Sequence, residues 1–127
     1  MGFPGYKVKT LIVEDNATFR VVFKDRLQNL FSSMDIQEAA DAYEALQSVE
    51  AFRPEFIFID IRLPGENGLQ LTQKIKASYP NMKVIILTEF DIPEYREAAM
   101  RYGGDLFVAK DSLNWEQIET FIKSLGG

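Results

Sequence analysis

Five short apolar runs, each followed by a stretch whose apolar residues recur at helical spacing, constrain the fold of this chain more than any other feature. Residues 8–13 form the first run, stopped by Glu14-Asp15-Asn16. Phe19, Val22, Phe23, Leu27, Leu30 and Phe31 then mark a helix that Asp15 or Asn16 can cap. Residues 36–40 read as a second strand, and Tyr43, Leu46 and Val49 mark a helix that ends before Arg53-Pro54. The third run, residues 56–60, ends abruptly in Asp60, with Pro64, Gly65 and Gly68 close behind. Asp60 is therefore expected at the exposed C-terminal tip of a buried strand. Leu71, Ile75 and Tyr79 mark a third helix, closed by Pro80-Asn81, and residues 84–88 form a fourth buried strand. Pro93 suits the first turn of a fourth helix carrying Tyr95, Ala98, Ala99 and Tyr102, which Gly103-Gly104 ends. Residues 106–109 are the fifth strand. Asn114 caps a last helix with Trp115, Ile118, Phe121, Ile122 and Leu125 on one stripe.

Strands this apolar, alternating with helices, imply a parallel sheet covered on both faces, because right-handed helical crossovers must lie on the sheet. The expected architecture is α/β and doubly wound: five strands in the order 2-1-3-4-5 with five helices, a flavodoxin-like (βα)5 arrangement. With 127 residues, of which 46% are hydrophobic and ten are Phe, one domain can bury a substantial core. No repeat or linker interrupts the pattern, so residues 1–127 are read as a single domain with a core over about 7–125.

The chain contains no Cys and no His, so thiol nucleophiles, disulfides, thiolate zinc sites and Ser-His or Cys-His catalysis are all ruled out. A net charge of −5 without clustered Lys or Arg argues against direct nucleic-acid binding. No apolar run reaches the roughly 18 residues of a membrane span, and residues 1–6 lack the basic flank and apolar stretch of a leader. A soluble, cytoplasmic protein is expected. The glycine-rich signatures of nucleotide and dinucleotide sites are absent, and the acidic first loop would repel a flavin phosphate in the absence of a metal.

In a parallel sheet the C-terminal ends of neighbouring strands share one edge. Glu14 and Asp15 after the first strand, Asp60 after the third, Thr88 after the fourth and Lys110 after the fifth are expected to converge there. Three carboxylates packed together repel unless a cation compensates, and hard oxygen donors of this kind suit Mg²⁺, with Mn²⁺ as a substitute. Thr88 and Lys110 would complete a site for phosphoryl oxygens, in which the carboxylate of Asp60 attacks.

Four motifs in order, Leu11-Ile-Val-Glu14-Asp15-Asn16, Asp60-Ile-Arg-Leu-Pro64-Gly-Glu-Asn-Gly68, Val84-Ile-Ile-Leu-Thr88 and Phe107-Val-Ala-Lys110-Asp-Ser112, give the chain a strong resemblance to the receiver domains of two-component response regulators. The resemblance covers nearly the whole chain. It implies that Asp60 accepts a phosphoryl group from a sensor histidine kinase or phosphotransfer protein, and that the chain catalyses only its own phosphorylation and slow dephosphorylation. It also implies that Glu14, Asp15, Asp60 and the backbone carbonyl of Arg62 hold Mg²⁺ while Lys110 pairs with the phosphoryl group. Thr88 would move to bond a phosphoryl oxygen and Phe107 would turn inward behind it, reshaping the face of the fourth helix, fifth strand and fifth helix for a homodimer or an output domain. Lys110-Asp-Ser112, where many receivers have proline after the lysine, resembles the subgroup joined to helix-turn-helix output domains. A stand-alone receiver and the receiver portion of a longer regulator both fit.

Residue 89 is usually small in this family and here is glutamate. Glu89 is expected to pair with Arg62 across the mouth of the site as a movable gate, with Phe90 lining the same loop. Phe107 reads equally as a switch and as static core, and Trp115 as core. Two other functions stay open: a phosphorylation-independent pseudo-receiver, and a Mg-dependent phosphohydrolase with an aspartate nucleophile. Against the second, residue 62 is Arg where such enzymes commonly carry an acid.

Overall fold

The computed structural model describes residues 8–126, and side chains for 8–124. Residue 7, the expected start of the folded core, the stripe residue Leu125 and the opening residues 1–6 lie outside the residues and side chains described. Strands β1 (Lys9–Val13), β2 (Asp35–Ala39), β3 (Phe56–Asp60), β4 (Lys83–Thr88) and β5 (Leu106–Ala109) alternate with helices α1 (Ala17–Leu30), α2 (Ala42–Phe52), α3 (Gly68–Ser78), α4 (Pro93–Arg101) and α5 (Trp115–Gly126). A single 3₁₀ turn, Lys110–Ser112, joins β5 to α5 and was not foreseen in the sequence. The strands form one parallel sheet in the order β2-β1-β3-β4-β5, the doubly wound order expected. No helix among the described residues is long and apolar enough to cross a membrane.

Period-two alternation divides each inner strand between two cores. Leu11, Val13, Ile57, Ile59, Val84 and Ile86 face α2, α3 and α4, where Ala42, Ala45, Leu71, Ile75 and Ala99 meet them. Ile12, Phe56, Phe58, Ile85, Leu87 and Val108 face α1 and α5, where Phe23, Leu27, Ile118 and Ile122 pack. Aromatic side chains concentrate on this second face: the Phe23 ring lies 4.9 Å from those of Phe58 and Trp115. Trp115 thus packs against the core, as the sequence suggested.

Four helices leave the sheet's C-terminal edge or its neighbouring loops through side-chain caps. Asn16, Asp41, Asn67 and Asn114 accept from the backbone N–H groups of Phe19, Glu44, Gln70 and Gln117 at 2.8–3.0 Å. Helix α4 has no such cap and opens instead with Pro93 in its first turn. The first helix is therefore capped by Asn16, leaving Asp15 free for another role.

Two helical faces shift in detail, and one strand is exposed. In α2 the buried face is Ala42, Ala45, Val49 and Phe52, while Tyr43 and Leu46, expected as face markers, are 70% and 37% exposed. Small alanines let the helix approach the sheet closely, which rotates the bulkier residues outward. In α1, Phe23 and Leu27 set the buried line and Val22 falls to its solvent side. Strand β2 is largely exposed, as an edge strand bearing Asp35, Gln37 and Glu38 must be.

Gly68 opens α3 directly behind the end of β3, and its N–H donates to Ile61 O at 2.7 Å. A Cβ at this position would run into the backbone carbonyl of Asp60, 2.9 Å from its carbon and 2.9 Å from Ile59 Cγ2. Only glycine lets the helix start close against the strand. Gly68→Ala is expected to cost about 1–3 kcal/mol through forced displacement of packed backbone. A denaturant midpoint equal to that of the wild type would show that the helix relaxes without penalty.

Candidate functional site

The common edge of β1, β3, β4 and β5 brings Glu14, Asp15, Asp60, Thr88 and Lys110 together. Carboxylate oxygens of Glu14, Asp15 and Asp60 all lie within 4.8 Å of one another. Glu14 and Asp60 are buried, while Asp15 is exposed at the rim. Asp60 was expected at an exposed tip but retains only 4% of its surface, because neighbouring strand ends and the turn into α3 close around it.

Glu14 is held on every side. Its N–H donates to Ala39 O at 2.9 Å and its Oε2 accepts from Asn16 N–H at 2.9 Å. The ammonium of Lys110 lies 2.8 Å from Glu14 Oε1 and 3.7 Å from Asp60 Oδ2, with its side chain 8% exposed. Apart from this ion pair Oε1 has no partner among the described residues, which leaves that buried oxygen able to accept a further ligand. Lys110 also sits 4.5 Å from the centre of the Phe19 ring, so the first turn of α1 shapes the cation's position through its π face.

Electrostatics show how incompletely one ammonium balances three acids. Burial, and then the charge of Glu14, push the Asp60 carboxyl up to about 7; Lys110 and the backbone N–H of Arg62 pull it back only in part. Burial works against the Lys110 ammonium, but Glu14, Asp60 and Glu89 outweigh it and hold the lysine above its usual range. Hard carboxylate donors, an undercompensated negative charge and a buried acceptor oxygen with only an ion pair to satisfy it together fit a divalent cation such as Mg²⁺.

Thr88 is 2% exposed at the end of β4, and its hydroxyl serves its own loop: it donates to Phe90 O at 3.2 Å and accepts from Phe90 N–H at 3.0 Å. Phe107 is already inward, 5% exposed, with the Arg96 guanidinium 4.7 Å from its ring centre. Arg96 in turn pairs with Asp91 at 2.8 Å. The expected ion pair of Arg62 with Glu89 is not found among the described residues. Arg62 instead lies 4.7 Å over the Phe90 ring, which is 41% exposed and offers a large π face beside it. The charge of Glu89 is felt at Lys110, where it favours the ammonium.

With this geometry in place, likeness to known proteins decides the family. Residues 10–123 match the family model of the response regulator receiver domain. The chain belongs to the response regulator receiver domain family. It is 36% identical over 106 residues to the oxygen regulatory protein NreC of Staphylococcus epidermidis, covering 83% of this chain and 49% of that protein. The chain thus spans about half the length of the curated relatives it matches. Among solved structures, the receiver domain of a DNA-binding response regulator from Colwellia psychrerythraea superposes with a TM-score of 0.88 at 25% identity, covering 94% of this chain and 98% of the other. The receiver domain of the NarL response regulator from Mycobacterium tuberculosis gives 0.83 at 26% identity, covering 96% and 98%. A LuxR-family DNA-binding response regulator from Staphylococcus aureus gives 0.83 at 26%, covering 94% and 99%.

Sequence reasoning anticipated the converging acids and the lysine of this receiver domain but missed Phe19 and Arg96 as neighbours of Lys110 and Phe107. Phe19 carried a signal only as one member of a helical stripe, and Arg96 carried none. The raised Asp60 carboxyl has a consequence for stability. Because its folded value lies above its unfolded value, this group favours the folded state at low pH, and that contribution is lost as pH rises towards and through about 7. In metal-free buffer Asp60→Asn is expected to raise Tm by more than about 4 °C at pH 8, the shift that roughly 1 kcal/mol produces in a domain of this size. The gain should shrink toward pH 5. Thermal melts across this range check it, and a gain independent of pH would contradict it.

Proposed function

We propose that this receiver domain is a phosphorylation-controlled switch in which Asp60 accepts a phosphoryl group from a sensor histidine kinase or a phosphotransfer protein. The observation that carries this reading is the contact of one buried ammonium, Lys110, with Glu14 at 2.8 Å and Asp60 at 3.7 Å inside a three-carboxylate cluster. Such a site would offer a nucleophile, metal donors and a positive charge for phosphoryl oxygens within one pocket.

In the reaction an oxygen of ionised Asp60 attacks phosphorus, the P–N bond of the donor phosphohistidine breaks, and the imidazole nitrogen leaves with the bonding electrons. Glu14, Asp15, Asp60 and the Arg62 backbone carbonyl would hold Mg²⁺. Bound there, the ion supplies positive charge that keeps Asp60 ionised near neutral pH and offsets charge on the phosphoryl oxygens. Lys110 leaves its ion pair with Glu14 to meet the transferred group, guided by the face of Phe19.

Thr88 is the transmitting residue. Its hydroxyl exchanges its bonds to the Phe90 backbone for a phosphoryl oxygen, which releases the loop from β4 to α4 and lets it reorganise. Because Phe107 is inward already, its role in the switch is to be held there, and Arg96 with Asp91 couples it to α4. The face of α4, β5 and α5 then serves a homodimer or an output domain. Arg62 and Glu89 act at the entrance separately: Arg62 is stacked on Phe90, and the charge of Glu89 is felt at Lys110. We place the protein in the cytoplasm, where histidine kinases present their phosphoryl groups.

Acetyl phosphate with Mg²⁺, followed by intact-mass measurement, tests the assignment. A single phosphoryl adduct of about 80 Da is expected on the wild type and none on Asp60→Asn, since only the carboxylate is a nucleophile. Rapid multiple-turnover release of phosphate would instead indicate a hydrolase. No adduct from acetyl phosphate or from a kinase would indicate an interaction module that works without phosphorylation.

A further inference from the structure

Of the four groups through which Glu14 is anchored, three are its N–H and its two carboxylate oxygens; the fourth is its backbone carbonyl, which β-sheet pairing leaves free at the end of β1. Arg20, in the second turn of α1, supplies that partner. One guanidinium nitrogen, Nη1, donates a short hydrogen bond to Glu14 O. Another, Nε, donates to Glu38 Oε1 on β2 at 2.9 Å. Glu38 is itself steadied by Lys24, whose Nζ lies 2.9 Å from Oε2. The Arg20 side chain is only 19% exposed, so these contacts are sheltered from water more than an ordinary surface pair would be.

From this arrangement we infer that Arg20 is a positioning residue for the cation site, a splint that ties the Glu14-Asp15 turn to the edge of the sheet. This rests on the proposed Mg²⁺ site described above. Three carboxylates held within 4.8 Å of one another repel before any cation arrives, and Glu14 and Asp15 lie on a turn that would otherwise spread to relieve the repulsion. A planar guanidinium fork clamps a backbone carbonyl and a carboxylate at a fixed angle, which a lysine ammonium on a flexible stem cannot do. Arg20 touches neither the cation nor the phosphoryl group. Its action is exerted through the conformation of Glu14, so its removal acts on metal affinity rather than on the number of ligands.

Isothermal titration calorimetry with Mg²⁺ on the intact chain tests this. Arg20→Met is expected to weaken Mg²⁺ binding by about tenfold or more, the size of effect typical when a partner that orients a metal ligand is lost. Arg20→Lys keeps the charge and most of the stem, so it preserves the fold should Arg20→Met fail to fold, and is expected to weaken binding by about fivefold because only one of the two bonds can be made. Lys24→Met loosens the same α1–β2 seam but leaves Arg20 on Glu14, and is expected to stay within about twofold of the wild type. Equal weakening by Lys24→Met and Arg20→Lys would reduce Arg20 to a stabiliser of that seam and overturn the inference, as would wild-type affinity in folded Arg20→Lys. A wild type that binds no Mg²⁺ would overturn the proposed metal site and this inference with it, whereas a binding wild type with unaffected Arg20 variants would sink this inference alone.

Discussion

A lysine ammonium buried between two carboxylates is the interaction on which the functional edge depends. Lys110, Glu14 and Asp60 come from three different strand ends, and the two buried carboxylates share the one ammonium. Buried ion pairs are poor sources of net stability, because desolvation offsets most of the attraction. Their value here lies in what they leave unfinished. One positive charge faces three negative ones, so the edge keeps an excess of negative charge that a further cation would offset.

The sheet makes this balance workable by separating its two duties. On one face, aliphatic and small residues allow α2, α3 and α4 to lie close, and Gly68 lets α3 begin against the end of β3. On the other face, aromatic rings fill the space under α1 and α5, and the line Phe58, Phe23, Phe19 leads outward to Lys110. The rigid interior thus reaches the charged edge through a ring that the lysine covers. On the α4 side the loops are tied more lightly: the Phe90 ring lies between Arg62 and Tyr95, and Arg96 spans Asp91 and Phe107. Elements held by exposed stacking and single ion pairs rearrange at lower cost than those held by buried packing, so that side is the more easily reorganised.

Legibility in the sequence followed the physics of each signal. Buried strands announce themselves as runs of apolar residues, so β1, β3, β4 and the mostly buried edge strand β5, and the convergence at their ends, could be read directly. Capping chemistry is local, so Asn114 was readable directly and Asn16 as one of two neighbours, with Asp15, that could cap α1. The buried face of α2 was misjudged because periodicity marks the bulky residues, whereas close packing chose the alanines one position away. The pairing of Arg62 with Glu89 failed for a different reason: opposite charge in neighbouring loops suggests an ion pair, but Phe90 stood nearer and offered a broad face to the guanidinium.

Sequence alone determined the order of elements, the parallel sheet and the identity of the acids and the lysine at its edge, because each depends on residue type and on spacing along the chain. Tertiary structure decided how far those groups are buried, that Lys110 leans on Glu14 more closely than on Asp60, that Thr88 spends its hydroxyl on Phe90, and that Arg20 reaches the Glu14 carbonyl. These are distances between residues far apart in sequence or contacts to backbone atoms, which every residue carries alike. No pattern of side-chain types can encode them, and they emerge only when the strands are in register.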